Sequence, residues 1–285
     1  MPVNDDLVGR ELPALQGSWS GRDTRLYAVA VGAGADDPGR ELHFTTENSK
    51  GITQRVLPTF GVIEGCRVGV GGLIDQLDDV DLSRMLHGTQ QVEQHHELPA
   101  SAQVITSGRI SGVWDKGKAA VIESEVTTSD AETGQPYVTC RQSLFFRGYG
   151  GWGGERGPSG AAPAPESKPD RTLRATTRPD QALLYRLTGD TNPLHSDPAY
   201  ARAAGFPRPI LHGLCAYGIV GRLLLNELAD SDPAAFRSFR GRFSAPTYPG
   251  DDLVVSVWSE GREHRVVVDS QRGERILSDG LFVTA

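Results

Sequence analysis

The 285-residue sequence contains only three cysteines, Cys66, Cys140 and Cys215, and they are widely separated. Three scattered cysteines are too few for a disulfide framework and lack the close pairing of a zinc finger. Cys215 falls inside an apolar run, which predicts a buried thiol and not a nucleophile. The cysteine content therefore predicts a reducing environment, and we expect a cytoplasmic protein.

Excess positive charge is also missing. Lys and Arg number 29 against 36 Asp and Glu, which gives a formal net charge of -7 without any basic block. This balance argues against nucleic acid or an anionic membrane as the main partner. No run approaches the ~18 apolar residues needed to span a bilayer, and the first residues lack the basic start and apolar core of a leader. We therefore expect neither export nor membrane anchoring.

Polar groups suited to catalysis are concentrated in residues 185–228. Asp190, Asn192 and His195 fall within six positions, and the flanking Gly189 and Pro193 predict a bent loop in place of a regular helix. Ser196 or Asp197 is placed to cap a short helix that opens at Pro198, and Gly205 is placed to end it. The loop is therefore expected to aim an acid, an amide and an imidazole at one point.

A second helix is predicted directly after His212 and Gly213. The residues that follow are apolar at intervals of three or four, which is typical of a helix with one buried face; they are Leu214, Tyr217, Val220, Leu224 and Leu228. The first N–H groups of a helix have no partner inside it and lie at the positive end of its dipole. The N–H of Gly213 is therefore a candidate donor to an oxyanion.

The sequence also contains a weak internal repeat. Leu26-Tyr27 matches Leu184-Tyr185, and the run 56–59 matches 210–213. Each half is expected to contain an extended opening segment, a helix and antiparallel strands with a turn near Asp115-Lys116-Gly117 or Glu260-Gly261. Residues 148–169 are dominated by Gly, Pro, Ala and Ser, which predicts a linker.

These features predict an α+β protein of two units. We place the first at residues 1–150, the linker at 151–169 and the second at 170–285. Each unit is expected to wrap an antiparallel sheet around one long helix, and the two sheets are expected to join edge to edge, which protects strand edges.

Only the second half has the catalytic set. The first half has Ala33 and Pro58 where the second has Asp190 and His212, so it is expected to supply binding surface only. Its glycine-rich segment 61–72 is expected to be poorly helical and to leave room for a ligand, with Gly69 and Gly71 facing that space.

The run YRLTGDTNPLHSDPAYARAAGFPRPILHG resembles the hydratase 2 motif of the MaoC-like, (R)-specific enoyl-CoA hydratases. The duplicated layout resembles the double hot-dog form of that family, as do the first-half runs VLPTFGVI and LHGTQQVEQHHELP. The resemblance implies that Asp190 is the catalytic acid, His195 the catalytic histidine, Asn192 a supporting amide and Gly213 the oxyanion donor.

The same resemblance implies reversible addition of water to a trans-2-enoyl-CoA, which gives a (3R)-3-hydroxyacyl-CoA. It implies an acyl-CoA thioester as partner, with Lys116, Lys118 and His212 as candidate substrate-binding residues, and a homodimer. No cofactor and no metal are expected, because protein groups supply the acid, the base and the oxyanion donor.

Other functions stay open at this level. Asp190, His195 and His212 form a possible two-histidine, one-carboxylate metal site. The chain is alternatively a (3R)-hydroxyacyl thioester dehydratase of fatty-acid or polyketide synthesis, or a non-catalytic acyl-CoA-binding subunit. Taken singly, Asp190 and Asn192 are also ordinary turn residues.

Overall fold

Ten antiparallel strands form one continuous sheet in the computed structural model, which describes residues 3–78, 80–160 and 163–285. The strand order is β1-β3-β4-β5-β2-β7-β10-β9-β8-β6. The strands are β1 Glu11–Trp19, β2 Met85–Gln94, β3 Ala102–Asp115, β4 Ala119–Asp130, β5 Pro136–Arg147, β6 Arg171–Thr176, β7 Phe236–Phe243, β8 Asp252–Glu260, β9 Glu263–Ser270 and β10 Arg275–Thr284.

The helices are short apart from the last. They are α1 Gly21–Ala30, α2 Leu42–Thr45, α3 Val62–Cys66, α4 Gln181–Tyr185, α5 Pro198–Ala203 and α6 Gly213–Leu228. Six 3₁₀ turns lie among the described residues, at Asp5–Leu7, Pro58–Gly61, Leu82–Arg84, Arg186–Thr188, Pro193–His195 and Pro233–Ala235, and a π-helical segment lies at Arg67–Gly72. No helix within the described ranges is both long and apolar enough to cross a bilayer.

The sheet confirms the internal repeat. The order β1-β3-β4-β5-β2 in the first half is repeated as β6-β8-β9-β10-β7 in the second, and the two halves meet where β2 pairs with β7. This is the expected double hot-dog arrangement, with the two sheets joined edge to edge. The predicted turns also form, because β3 and β4 are joined at residues 116–118 and β8 and β9 at 261–262.

Alternating side chains explain why these segments form strands with one face on the core. In β4, Ile122, Ser124 and Val126 are buried, whereas the residues between them are only partly covered. Successive strand residues point to opposite faces, so this period of two buries one face of the sheet. The helices cover that face, and α6 is buried over most of its length.

The linker region contains no helix or strand among its described residues, as its composition predicts. It is nevertheless held against the sheet. Asp115 N–H donates to the carbonyl of Glu155, Arg242 donates to the carbonyl of Gly160 at 3.4 Å, and Trp258 Nε1 donates to the carbonyl of Ser167 at 2.8 Å. These bonds attach the linker to strands of both halves.

The expectation that the glycine-rich segment 61–72 is poorly helical was wrong. Residues 58–72 are helical throughout, passing from 3₁₀ through α3 to the π-helical segment. A Cβ at Gly65 would lie 2.6 Å from Cys140 Sγ, and one at Gly69 would overlap the Gln142 amide. These glycines bring the helix close to β5 and leave no ligand space at Gly69, whereas a Cβ at Gly71 would meet only the Cys66 carbonyl at 4.0 Å.

The halves also interlock through α6. A Cβ at Gly218 would lie 2.6 Å from Val31 Cγ1 and 2.7 Å from Tyr27 Oη, so the absence of a side chain lets α1 approach the helix. Farther along α6, Arg222 Nη1 lies 2.8 Å from Glu41 Oε2, and both side chains are buried. Burial raises the pKa of Glu41, but Arg222 and Asn226 outweigh it, so the pKa lies below its ordinary value.

We predict that Gly218→Ala destabilises the protein by about 1–3 kcal/mol, because the new methyl group would enter space occupied by Val31 and Tyr27. Chemical denaturation measures the loss. Gly71→Ala is the matched control, since its Cβ has open space, and we expect it to be neutral or slightly stabilising. Equal stability of the two variants would show that α1 does not depend on Gly218.

Candidate active site

A bent loop between α4 and α5 carries the predicted acid and amide. Gly189 adopts φ 129°, a conformation that side chains disfavour, and turns the chain out of the preceding 3₁₀ turn. Asp190 Oδ1 accepts a hydrogen bond from Asn192 N–H at 3.1 Å, and Asn192 Oδ1 accepts one from Leu194 N–H at 3.0 Å. Both side chains therefore serve as turn residues, and Asp190 is only partly exposed to solvent.

The short helix after the loop forms as the sequence indicates. Asp197, not Ser196, provides the N-cap of α5, and its Oδ1 accepts from Ala199 N–H at 2.7 Å and Tyr200 N–H at 3.2 Å. Pro198 occupies the first helical position, where a missing N–H has no cost. The cap fixes the end of the catalytic loop.

His195 is oriented by the backbone. Its Nδ1–H donates to the carbonyl oxygen of Ile210 at 2.9 Å, which leaves the lone pair on Nε2. Burial lowers the pKa of His195 below its ordinary 6.5, although the bond to Ile210 and the charge of Asp190 oppose this effect. The imidazole is therefore neutral near pH 7 and able to accept a proton at Nε2.

His212 connects the loop to the helix that follows it. It is the N-cap residue of α6, its side chain is buried, and its ring lies 3.8 Å from the His195 ring, measured between centroids, at 30°. Its Nε2–H donates to the backbone carbonyl of Asp190 at 3.2 Å. Burial and then the neighbouring His195 lower the pKa of His212 to about 4. These contacts support an anchoring role; substrate binding by His212 stays a prediction.

Gly213 begins α6 beside these groups, so its N–H belongs to the helix end that lacks internal partners. A Cβ at this position would lie 3.2 Å from Phe243 Cε1 and 3.3 Å from Cδ1. The phenyl ring of Phe243 thus covers one side of the candidate oxyanion donor. An aromatic wall of this kind excludes water and strengthens a hydrogen bond to a developing negative charge.

The acid and the two imidazoles converge. One ligand-type atom each from Asp190, His195 and His212 lies within 4.8 Å of the others. The structure thus brings together Asp190 and His212, which are 22 positions apart in the sequence. Gly213, the candidate oxyanion donor, directly follows His212. A two-histidine, one-carboxylate set also has the chemistry of a metal site.

His87 belongs to the same pocket and was missed in the sequence. It lies on β2 in the first half, and its ring is 5.2 Å from the Phe243 ring in an edge-to-face arrangement. Burial lowers the pKa of His87 to about 4, against smaller opposing effects of its bond to Thr89 and of the charge of Asp190. A single histidine on a strand gives no periodic signal; only the pairing of β2 with β7 places it here.

Cys66 is a second first-half residue near the site. Burial raises the pKa of its thiol well above the ordinary value, and Cys140 and the charge of Asp190 act in the same direction. Its Sγ lies 3.7 Å from the Gln142 Oε1 atom. The first half therefore contributes His87 and Cys66 to the surroundings of Asp190, although Ala33 and Pro58 supply neither an acid nor an imidazole.

A narrow cavity next to Asn192 opens between the halves. Both halves contribute to its lining, which includes Leu82, Met85, Leu86 and Arg147 from the first half and Asn192, Leu194, Tyr200 and Phe206 from the second. Its volume of about 20 Å³ is enough for a single water molecule.

The two lysines predicted to bind substrate lie elsewhere, at the turn between β3 and β4. The Lys116 ammonium donates to the carbonyl oxygens of Arg156 and Pro158, so the linker occupies it, whereas Lys118 is exposed. Within the described ranges, no hydrogen bond joins either lysine to the catalytic loop. Lys116 thus holds the linker, and substrate binding by Lys116 and Lys118 stays a prediction.

Two family models match the chain in succession. Residues 18–148 match the MFE-2 hydratase 2 N-terminal domain, and residues 161–277 match the MaoC like domain. Among solved structures, full-length peroxisomal multifunctional enzyme type 2 from Drosophila melanogaster aligns with a TM-score of 0.83 at 33% identity. The alignment covers 96% of this chain and 48% of that protein, so the chain corresponds to about half of it.

Two relatives from Mycobacterium tuberculosis match over nearly their full lengths. Enoyl-CoA hydratase ChsH3 is 44% identical, covering 92% of this chain and 91% of the relative. 3-Hydroxyacyl-thioester dehydratase Y is 40% identical, covering 94% and 97% respectively. With the loop, the helix start and the sheet arranged as described, the chain belongs to the MaoC-like enoyl-CoA hydratase 2 family of hydro-lyases.

Proposed function

We propose that this protein catalyses the reversible hydration of trans-2-enoyl-CoA to (3R)-3-hydroxyacyl-CoA. The observation that carries the proposal is the convergence of Asp190 and His195 beside the N-terminus of α6. An acid, a neutral imidazole and an unpaired backbone donor are the groups that this reaction needs, since water is a weak nucleophile and the thioester must accept negative charge.

In the proposed reaction one water molecule is held between the Asp190 carboxylate and His195 Nε2. The Asp190–His195 pair removes a proton from this water as the water oxygen bonds to C3. The electrons of the double bond then move toward the thioester. Gly213 N–H stabilises the charge that develops on the thioester oxygen. The Asp190–His195 pair then returns a proton to C2, so that one H and one OH are added across the double bond and the pair ends in its starting protonation state.

Each supporting group has a defined task. Ile210 holds His195 in the tautomer with a free Nε2, and Asn192 N–H holds the Asp190 carboxylate. His212 stacks on the catalytic imidazole and binds the Asp190 backbone, which fixes the acid relative to the base. Fixed geometry of this kind supplies much of the rate enhancement in enzymes.

The reverse reaction on another thioester is the alternative. One relative is named a 3-hydroxyacyl-thioester dehydratase, and the same groups would catalyse loss of water from a (3R)-hydroxyacyl thioester. A non-catalytic acyl-CoA-binding role is less well supported, because the acid, imidazole, amide and helix start are all present in one pocket.

The broader assignments follow from this proposal. Residues 1–150 would supply the binding surface for the acyl chain and CoA, which includes His87. Residues 170–285 would supply the reacting groups, and residues 151–169 would be the linker. We further propose that the chain forms a homodimer and acts in the cytoplasm; size measurement in solution and fluorescent tagging test the two assignments.

We predict that the purified protein hydrates trans-2-enoyl-CoA without added metal or nicotinamide, and that the product is the 3R isomer. Hydration is followed by loss of enoyl thioester absorbance, and chiral analysis identifies the product. Activity that chelators remove and a divalent metal restores would replace this mechanism with the metal-dependent one. A 3S product would contradict the proposed stereochemistry.

Asp190→Asn and His195→Gln are each expected to reduce turnover by about 100-fold or more, because both changes keep size and abolish proton transfer. Thermal stability should be nearly unchanged, since the amide that replaces the Asp190 carboxylate retains an oxygen for the Asn192 N–H. The double variant should lose much less than the product of the single losses, because both groups act on one water. Multiplicative losses would place the two residues in separate steps.

The pH profile should report the neutral form of His195. Because burial lowers its pKa below 6.5, the protonated fraction is small at pH 7, and kcat/KM should fall only as the pH drops below 6.5. His212, with a pKa of about 4, should stay neutral over the same range. A fall of kcat/KM centred at a pH above 6.5 would contradict the role of His195. The control His96→Gln changes an exposed histidine outside the pocket and should leave the pH profile unchanged.

A further inference from the structure

The catalytic groups are also a set of transition-metal ligands. Asp190, His195 and His212 each offer one ligand atom, and these atoms lie within 4.8 Å of one another. Two imidazoles and a carboxylate bind Zn²⁺ in many proteins, with the metal about 2.0–2.2 Å from each ligand atom. The donor types therefore match zinc better than Mg²⁺ or Ca²⁺, which prefer oxygen ligands.

His195 is already oriented as metal-binding histidines are. Its Nδ1–H donates to the Ile210 carbonyl at 2.9 Å, and a backbone carbonyl in this position commonly fixes the ring of a metal ligand. The Nε2 lone pair then faces the cluster. Asp190 is partly exposed, so a cation can reach its carboxylate from solvent.

His212 limits the affinity. Its Nε2–H is used in the bond to the Asp190 backbone carbonyl at 3.2 Å, so this nitrogen must lose that bond before it can bind a metal. The proton can move to Nδ1, which is buried and has no hydrogen-bond partner among the described residues. The third ligand is thus available only at the cost of that hydrogen bond and of a buried Nδ1–H without a partner.

The spacing of the three ligand atoms also limits the affinity for the ion. Ligand atoms around a tetrahedral zinc lie roughly 3.4 Å apart, given metal–ligand distances of about 2.1 Å. The limit of 4.8 Å in this structure is wider, so the loop must close slightly around the ion. Gly189, which precedes Asp190 at φ 129°, is a point where the loop can bend. A cluster that must close and exchange a bond fits reversible binding and not a resident cofactor.

We propose that Asp190, His195 and His212 bind Zn²⁺ as a reversible inhibitor of this protein. The inference rests on the proposed hydratase function. The ion takes the place of the catalytic water and occupies the lone pair of His195 and the charge of Asp190. The bound form then has neither a base nor a nucleophile, although the chain remains folded.

Inhibition and binding are measured separately on the full chain. With Zn²⁺ alone as the added ligand, hydratase activity should fall by at least about tenfold at saturation, because the proton-transfer groups are occupied. A chelator should restore it, and Mg²⁺ at the same concentration should have no effect. Zn²⁺ that binds to the active protein without inhibiting it would overturn the proposal.

Binding without catalysis is followed by titration with Co²⁺, whose visible spectrum reports its ligands. One Co²⁺ per chain should bind to the unaltered protein and to His96→Gln, the matched control at an exposed histidine. His195→Gln should weaken binding at least about tenfold, since loss of even a hydrogen-bond partner of a metal ligand typically costs about 10- to 100-fold in affinity. Equal binding by His195→Gln, or binding that is lost in His96→Gln, would place the ion elsewhere.

The two measurements separate the two proposals. An inactive protein that still binds Co²⁺ through His195 would remove the hydratase function and keep the metal site. An active protein whose activity is unaffected by Zn²⁺ would keep the function and remove the inhibitory site. A 3-hydroxyacyl-CoA that competes with Co²⁺ would place the ion at the substrate site, whereas independent binding would contradict displacement of the catalytic water.

Discussion

The antiparallel pairing of β2 with β7 is the constraint on which the rest of the structure depends. It runs from Thr89 opposite Arg242 to Glu93 opposite Ser238 and joins two five-stranded units into one sheet. Without it, each unit would expose the edge strand β2 or β7, with a row of unpaired backbone groups. The pairing also places His87 of the first half beside Phe243 of the second. The catalytic pocket is thus a product of the junction.

Packing on the helix face makes the same junction rigid. Gly218 allows Tyr27 and Val31 to contact α6, and the buried pair Glu41–Arg222 joins a first-half loop to the same helix. Removing one partner of such a pair typically costs about 3–5 kcal/mol, because an unpaired charge stays buried. The N-terminus of α6, which carries Gly213, is therefore held in place by contacts from both halves. A donor held in a fixed position stabilises developing charge without having to reorganise.

The active-site loop combines local and long-range constraints. Asp190 and Asn192 each form the short hydrogen bond that makes them ordinary turn residues. What distinguishes this loop from a simple turn is His212, which comes from outside it, stacks on His195 and binds the Asp190 backbone. His212 is also the N-cap residue of α6, whose first residue is Gly213, the proposed oxyanion donor. One buried imidazole thus sets the relative positions of acid, base and helix.

From the sequence alone, α5, α6 and a candidate set of reacting groups could be predicted. The Pro, Gly and Asp signals around Asp190 predicted the loop and a helix cap at Ser196 or Asp197, of which the structure uses Asp197. The apolar spacing after Gly213 predicted α6, because these effects act within a few residues. The internal repeat and its turns were sufficient to predict the fold class. Only the tertiary structure decided that the segment 61–72 packs tightly as a helix, that the linker occupies Lys116, and that His87 lines the pocket. Those outcomes depend on strand register and on contacts between residues far apart in the chain, and no local pattern encodes such distances.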